Sequence, residues 1–497
     1  MDAFSNLIDG FGTALTPENL MYALIGAAVG TLVGVLPGLG PTAAMAILIP
    51  LTFHLPPVGA IIMLAAIFYG SQYGGTITTI LLNIPGEASS AVTVLDGHAM
   101  ARQGKAGAAL SVAAVGSFIG GTVACIVLVT VAAPVAKLAL NFGPPEYVAL
   151  VILGLSLILV FAGKSIVKAL IMGAVGMLIA TVGLDPISGA ARFTFGIPQF
   201  FDGLDIVPVL MGLFGISEIL INMEARLTKV SQEKVSSLVP SKVEAKQASG
   251  AIARGTGVGF VLGMFPGVNA TIAAFTSYIV EKRFAKNPER FGKGAIEGVA
   301  GPETANNAHA NAALIPMFTL GIPGSPGVAV LMTAFIVNGL NPGPELFTAH
   351  PEVVWPIIAS MYIGNVMLLV LNLPLIGLWV QILKIPYSIL IGVILVFTLV
   401  GAYSIDNSMF NVWVMIAFGL LGYLFKKLDL PIAPLVLTLI LGPILEDAIR
   451  QSMAIFDGDV TGFFKHPIAL TIFAITAVII VFTARRSVPR SEGDAEA

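Results

Sequence analysis

The chain has 497 residues, 56% of them hydrophobic and only 11% charged, with a mean hydropathy of +0.93. So little polar surface cannot cover a soluble globule of this size, and apolar runs long enough to span a bilayer, roughly 20 residues each, recur from Leu20 to Phe482. The net charge of −3 and the lack of a basic tract with interleaved aromatics exclude nucleic acid as an expected partner and leave the lipid bilayer as the expected surroundings.

The N-terminal stretch MDAFSNLIDGFGTALTPENL has no Lys or Arg and no small-residue cleavage pattern, so a removable signal peptide is not expected. The first informative stretch is Gly26 to Met45, GAAVGTLVGVLPGLGPTAAM, an apolar run that breaks at Pro37-Gly38-Leu39-Gly40-Pro41 and resumes as helix-forming sequence. A second break, Asn83-Ile84-Pro85-Gly86, closes the next apolar run. Four spans are then predicted to begin near Ala108, Glu146, Ser165 and Ile206. The single cysteine, Cys125, permits no intrachain disulfide and reads as a small buried apolar residue.

The pattern then repeats. Gly255 to Ala274, GTGVGFVLGMFPGVNATIAA, aligns without gaps with Gly26 to Met45 and matches it at Gly255, Val258, Gly259, Gly263, Pro266, Gly267, Thr271 and Ala273. Gly321-Ile322-Pro323-Gly324 supplies the second break of this half, and further spans are predicted near Val353, Tyr387, Met409 and Leu430, with an unmatched last one from His466 to Phe482. The expected division is residues 1–222 as a first repeat, 223–254 as a cytoplasmic linker, 255–450 as a second repeat, and 451–497 as an extra span and tail.

Basic residues assign the sides, because short loops that retain Lys and Arg stay in the cytoplasm. The basic loops are Gly97 to Gly107, Gly163 to Lys168 (with Lys164), Glu224 to Arg254, Glu281 to Lys293, the Lys384 turn, Lys426-Lys427, and the tail with Arg485, Arg486 and Arg490. The stretch Gly255 to Val280 therefore enters and leaves on the basic side, whereas its counterpart Leu20 to Phe53 is flanked by segments without Lys or Arg. The expected fold is an all-α polytopic membrane protein of two inverted-topology repeats, each with two Pro-Gly-interrupted segments, hairpin or broken, and about four spans, plus one extra C-terminal helix.

Gly26, Gly30 and Gly34, mirrored by Gly255, Gly259 and Gly263, put glycine on one helix face at every fourth position and read as close helix packing with no ligand role. The breaks are different. Each stops a helix inside the membrane and exposes backbone N–H groups at the start of the next, which lipid cannot satisfy and which suit a carboxylate. Interrupted segments at corresponding places in two halves are the sequence mark of a secondary transporter's binding site. The candidate substrate-binding residues are Gly38, Gly40 and Thr42; Asn83, Gly86, Ser89 and Ser90; Gly267, Asn269 and Thr271; and Gly321, Gly324 and Ser325. No Lys or Arg lies in the second-break segments, so the charge that an anionic substrate lacks there would come from a bound cation. Asn269 and Thr271 are its candidate ligands. Glu87 reads equally as a proton site or a rim residue, and His309 as a packed or rim histidine. Valine at Gly38 or Gly267 is expected to abolish transport, and Gly26→Ala to do much less. The Gly163-Lys164-Ser165 triplet has Ile158 where a phosphate-binding loop needs glycine, and neither HExxH nor GxSxG occurs, so no enzyme is expected.

The segments PGLGPT, YGGTITTILLNIPGEASSAVTVLDG, GKGAIEGVAGPETANNAHANAALIP and LGIPGSPGVAVLM resemble the large membrane subunit of the bacterial tripartite tricarboxylate transporters, over essentially the whole chain. The resemblance implies a multi-pass permease of the bacterial inner membrane. It would work with a small four-helix membrane subunit and a periplasmic solute-binding protein to import di- and tricarboxylates such as citrate, driven by Na+ or H+, with no other cofactor. A stand-alone carboxylate channel or exporter is the alternative. The binding protein would dock on outside loops such as Leu184 to Asp205 and Gly339 to Glu352. If the halves are inverted, cysteines introduced as Pro288→Cys and Pro342→Cys will react with impermeant reagents from opposite sides of the membrane, and labelling of both from one side would exclude inversion.

Overall fold

The computed structural model describes residues 3–161, 165–185, 187–224, 237–382 and 387–487, and these are almost wholly helical. Lys164, linker residues 225–236, Lys384 and Arg490 lie outside the described residues. The order begins α1 (Ala3–Ala14), α2 (Pro17–Val35), α3 (Pro41–Leu48) and α4 (Pro57–Leu82). A 3-10 turn (Ala88–Thr93) leads into α5 (Val94–Arg102), followed by α6 (Ala106–Ala139), α7 (Pro144–Phe161) and α8 (Ile166–Ala180). Helices α9 (Ile206–Leu210) and α10 (Ser217–Glu224) are joined by a π turn at Met211–Ile216. The second half has α11 (Lys242–Gly263), α12 (Ala270–Phe284), α13 (Glu297–Ala312), α14 (Leu314–Leu320), α15 (Pro326–Val337), α16 (Leu346–Ala349) and α17 (Pro351–Asn372). Then come α18 (Ile376–Ile382), α19 (Tyr387–Ser404), α20 (Met409–Lys427), α21 (Ile432–Ile455) and α22 (Pro467–Ser487).

Among the described residues, seven helices are long and apolar enough to cross a membrane. Each predicted span has a helix starting within a few residues of its expected place. The sequence reading missed α1, which packs on α17 so closely that a Cβ at Gly10 would lie 2.6 Å from the Trp355 backbone. It also missed the two-stranded hairpin that pairs Gly183–Leu184 with Ala191–Arg192.

The chain forms two compact units, each drawing on both halves of the sequence. One comprises Met1–Leu140 and Leu204–Asp429, the other Asn141–Gly203 and Leu430–Ala497. In the smaller unit α21 packs on α7 and α8, and the hairpin is pinned by ion pairs among Asp185, Arg192, Glu446 and Arg450. The Arg450 guanidinium, 2.5 Å from Asp185, holds that carboxyl well below the usual carboxylate range.

The larger unit carries the four breaks, and glycine sets its geometry. The α2 glycines lie against the backbone of α4: Cβ atoms at Gly26, Gly30 and Gly34 would stand 2.3, 2.7 and 2.1 Å from the carbonyl oxygens of Met63, Ile67 and Ser71. The α11 glycines lie against α13 in the same way, with Gly255, Gly259 and Gly263 at 2.4, 2.2 and 2.7 Å from Gly301 O, Ala305 O and His309 O. This corrects the expectation that Gly26→Ala is mild, because the added methyl would meet a backbone oxygen that cannot step aside.

Gly26→Ala and Gly259→Ala should each destabilise the folded protein by about 1–3 kcal/mol, the usual range for overpacking. Gly257→Ala on the same helix, where a Cβ meets nothing within 4 Å, should leave thermal unfolding in detergent unchanged or slightly improved.

Candidate functional site

The two halves break their helices in matching ways. After α2 and after α11 the chain turns through Gly38 at φ +90° and Gly267 at φ +88°, a left-handed region that glycine enters without steric cost. The second breaks end their helices on left-handed residues too, Asn83 (φ 60°) after α4 and Gly321 (φ 69°) after α14. Asn83 is exposed, and its backbone conformation accounts for its place at the helix end.

The breaks satisfy most of their backbone groups internally. Gly38 O accepts from Asn222 Nδ2 (2.7 Å), and Gly267 N donates to Gly324 O (2.9 Å). Three of the four new helix starts carry side-chain caps. Asn269 Oδ1 accepts from Ile272 N (2.9 Å), Ser325 Oγ from Val328 N (3.3 Å), and Glu87 Oε2 from Ser89 N (2.6 Å). The fourth start, at Gly40 before α3, has no side-chain cap, and a Cβ there would meet nothing within 4 Å. Thr42 and Thr271, half-buried just inside α3 and α12, make no hydroxyl hydrogen bond among the described residues.

The elements that carry the four breaks contact one another in turn, as a ring. Within the first half, a Cβ on Gly86 would lie 2.2 Å from Gly34 O; within the second, Gly267 bonds Gly324. Between halves, α3 packs on α15, and α12 packs on the turn Ala88–Thr93. The sequence-derived candidates therefore stand on elements that pack on one another. Their roles differ: Asn83 and Gly321 end helices, Asn269 and Ser325 cap them, Gly86 permits close approach, and Gly40, Thr42 and Thr271 offer unbonded groups.

Behind the ring runs α13, EGVAGPETANNAHANA, a polar helix whose residues from Gly298 to Ala312 are all buried. It is wrapped by α4, α6, α11 and α12. Glu303 lies at its centre, fully buried. Its Oε1 accepts from Thr93 (2.6 Å), and its Oε2 from Thr76 (2.6 Å) and Asn306 (3.1 Å). No ion pair reaches it among the described residues. Asn306 Nδ2 also lies 3.5 Å from Ser89 Oγ, which bonds Gln72 Oε1 (2.7 Å) and Glu87, while Ser90 Oγ bonds Glu87 O (2.9 Å) and Thr79. A continuous polar chain thus joins Glu87 at the second break to Glu303 inside. His309 is a packed residue: 1% exposed, with Nε2 donating to Val268 O (2.9 Å) in the third break. Asp96, also fully buried, accepts from Tyr278 Oη and from the amides of Gly292, Gly294 and Ala295, tying α5 to the loop that leads into α13.

Glu303 and Asp96 were not singled out from the sequence, where Thr76 and Thr93 read only as hydroxyls that a lipid-facing helix would not tolerate. The available signal was the run Pro302-Glu303-Thr304-Ala305-Asn306-Asn307, too polar for lipid yet flanked by apolar sequence.

Cys125 is buried, with its thiol 3.7 Å from Asn311 Oδ1.

Because Gly40 has ordinary backbone angles and open space, Gly40→Val probes ligand approach without straining the fold. It should reduce carboxylate uptake at unchanged thermal stability, whereas Thr42→Val and Thr271→Val should each weaken substrate binding by about 1 kcal/mol. Full uptake by Gly40→Val would remove the start of α3 from the site.

A protein of Agrobacterium vitis described as an uncharacterized 52.8 kDa protein in the TAR-I ttuC' 3' region is 48% identical over 495 residues, covering 99% of this chain and 98% of the relative. An uncharacterized protein of the TAR-II ttuC' 3' region of the same organism is 48% identical over 236 residues, 48% of this chain and 97% of that protein. No solved structure gives a significant match. Residues 20–437 match the Tripartite tricarboxylate transporter TctA family, and the chain belongs to that family.

Proposed function

We propose that this protein is the permease subunit of a cation-coupled importer of small di- and tricarboxylates. It would lie in the bacterial inner membrane and work with a small four-helix subunit and a periplasmic solute-binding protein. The substrate would sit within the ring of breaks, held by backbone amides and by the hydroxyls of Thr42 and Thr271. Movement of the halves about the breaks would expose it to each side in turn.

The observation that carries this reading is Glu303 beside the ring: a carboxylate fully buried in a membrane protein with no basic partner among the described residues. Burying an uncompensated charge costs several kcal/mol, so a mobile cation, Na+ or H+, is the natural companion of this group. Ion-binding carboxylates inside membrane domains mark transport pathways for the same reason. The ion then travels with the substrate, and its gradient drives accumulation. Asn269 contributes its cap oxygen and Thr271 its free hydroxyl as further oxygen ligands at the third break.

Proteoliposomes containing the permease, the small subunit and the binding protein should accumulate radiolabelled citrate only with a Na+ or pH gradient, independently of ATP. Glu303→Gln, which keeps the shape and one donor–acceptor pair, should lower gradient-driven accumulation by about tenfold or more, the equivalent of one lost hydrogen bond to a charged group. Saturable uptake with unchanged ion dependence in Glu303→Gln would exclude Glu303 as the coupling residue. Unsaturable flux without any gradient would favour a channel.

A further inference from the structure

A cleft of about 650 Å³ opens between the start of α11 and the end of α12, on the basic side of the larger unit. About 15 Å of helix separates Arg254 in its wall from the third break, so it is distinct from the ring. Its two acidic groups are already paired. Glu281, 1% exposed, takes both Nε (2.9 Å) and Nη2 (2.5 Å) of Arg254, and Glu297 lies 3.5 Å from Arg290. Lys242, Lys246 and Lys286 also line the cleft and make no ion pair among the described residues, which leaves three positive charges facing one space.

The wall continues into an apolar face. The Arg254 guanidinium lies 5.8 Å from the ring centroid of Phe284, which is 70% exposed. Val243 at the start of α11, 66% exposed, lines the same cleft. A free anion needs only the charges; a molecule with a charged head and hydrocarbon chains uses both parts. Lysines at the membrane surface bury their stems in the apolar layer and hold their ammonium groups at headgroup level, and basic pockets between helices on this side recognise anionic lipid heads.

We propose that this cleft binds the headgroup of an anionic phospholipid whose chains start against the exposed Phe284 and Val243 in its wall. The site links the two arms of the third break at their charged end and does not depend on the identity of the transported carboxylate.

Native mass spectrometry of the full chain released from nanodiscs containing phosphatidylcholine and phosphatidylglycerol tests this directly. Wild type should retain phosphatidylglycerol; the triple variant Lys242→Ala, Lys246→Ala, Lys286→Ala should retain about tenfold less or lower still. The corresponding triple Lys→Arg variant should retain it as wild type does, as should a control with Arg102→Ala and Lys293→Ala on the same side. Equal retention by the triple alanine variant would overturn the proposal. So would equal thermal stabilisation of wild type by inorganic phosphate or citrate in phosphatidylcholine alone, which would assign the cleft to a soluble anion.

Discussion

Backbone amides and carbonyls inside a membrane protein must find partners without bulk water, and the larger unit is organised around meeting that demand at four places where its helices stop. Each break would leave unsatisfied groups if it stood alone. Here Gly267 bonds Gly324 across two breaks, Asn222 reaches from α10 to the Gly38 carbonyl, and Asn269, Ser325 and Glu87 cap the helices that restart. The exception is the start of α3 at Gly40, where neither a side-chain cap nor a close neighbour fills the position. Of the four restarting segments, this one alone leaves its first backbone donors without a side-chain cap.

Close packing makes the ring possible. With glycine at every fourth position, α2 presses onto α4 and α11 onto α13 at backbone contact, so the breaks at their ends arrive side by side. The same device recurs on α6, where Cβ atoms at Gly116 and Gly120 would meet Thr304 of α13 at 2.4 and 2.6 Å. This lets a helix as polar as α13 be wholly enclosed, its amides spent on neighbours: Asn307 Nδ2 on Ser117 Oγ (2.8 Å), Asn311 Nδ2 on Asn307 O (3.0 Å). Glu303 is held in this dense, bonded setting by hydroxyls from α4 and from the Ala88–Thr93 turn, so a change in its charge is felt by both halves at once.

What could be read from the sequence followed from local constraint. Proline next to glycine inside an apolar run is a strong helix stop, so PGLGPT, PGVNAT, NIPG and GIPG marked all four breaks, and the mirrored glycines marked a packing face. The severity of that packing was not legible, because spacing shows which face is small without showing what lies against it; Gly26 looked tolerant, and the Met63 carbonyl oxygen lies where its Cβ would go. The pairings of the donors that complete the interior were also hidden. Thr76 and Thr93 meet Glu303 across 227 and 210 residues of sequence, and no local pattern announces such a pairing. Asn269 shows what the sequence did not announce: the amide oxygen read there as a candidate cation ligand also caps α12. The helix α1 escaped notice because its short, mixed sequence gains its place only by packing on α17.

The central claim is that the ring of breaks is where a carboxylate is held, with its cation at Glu303 close by. The most direct measurement is a structure of the assembled transporter determined by electron cryomicroscopy with saturating citrate and the driving cation. The account predicts ligand density inside the ring, against the backbone amides at Gly40 to Thr42 and within reach of Thr271, with Glu303 unpaired by any basic side chain. Citrate density lodged elsewhere, with the ring closed and the Gly40 amides bonded to protein, would contradict it.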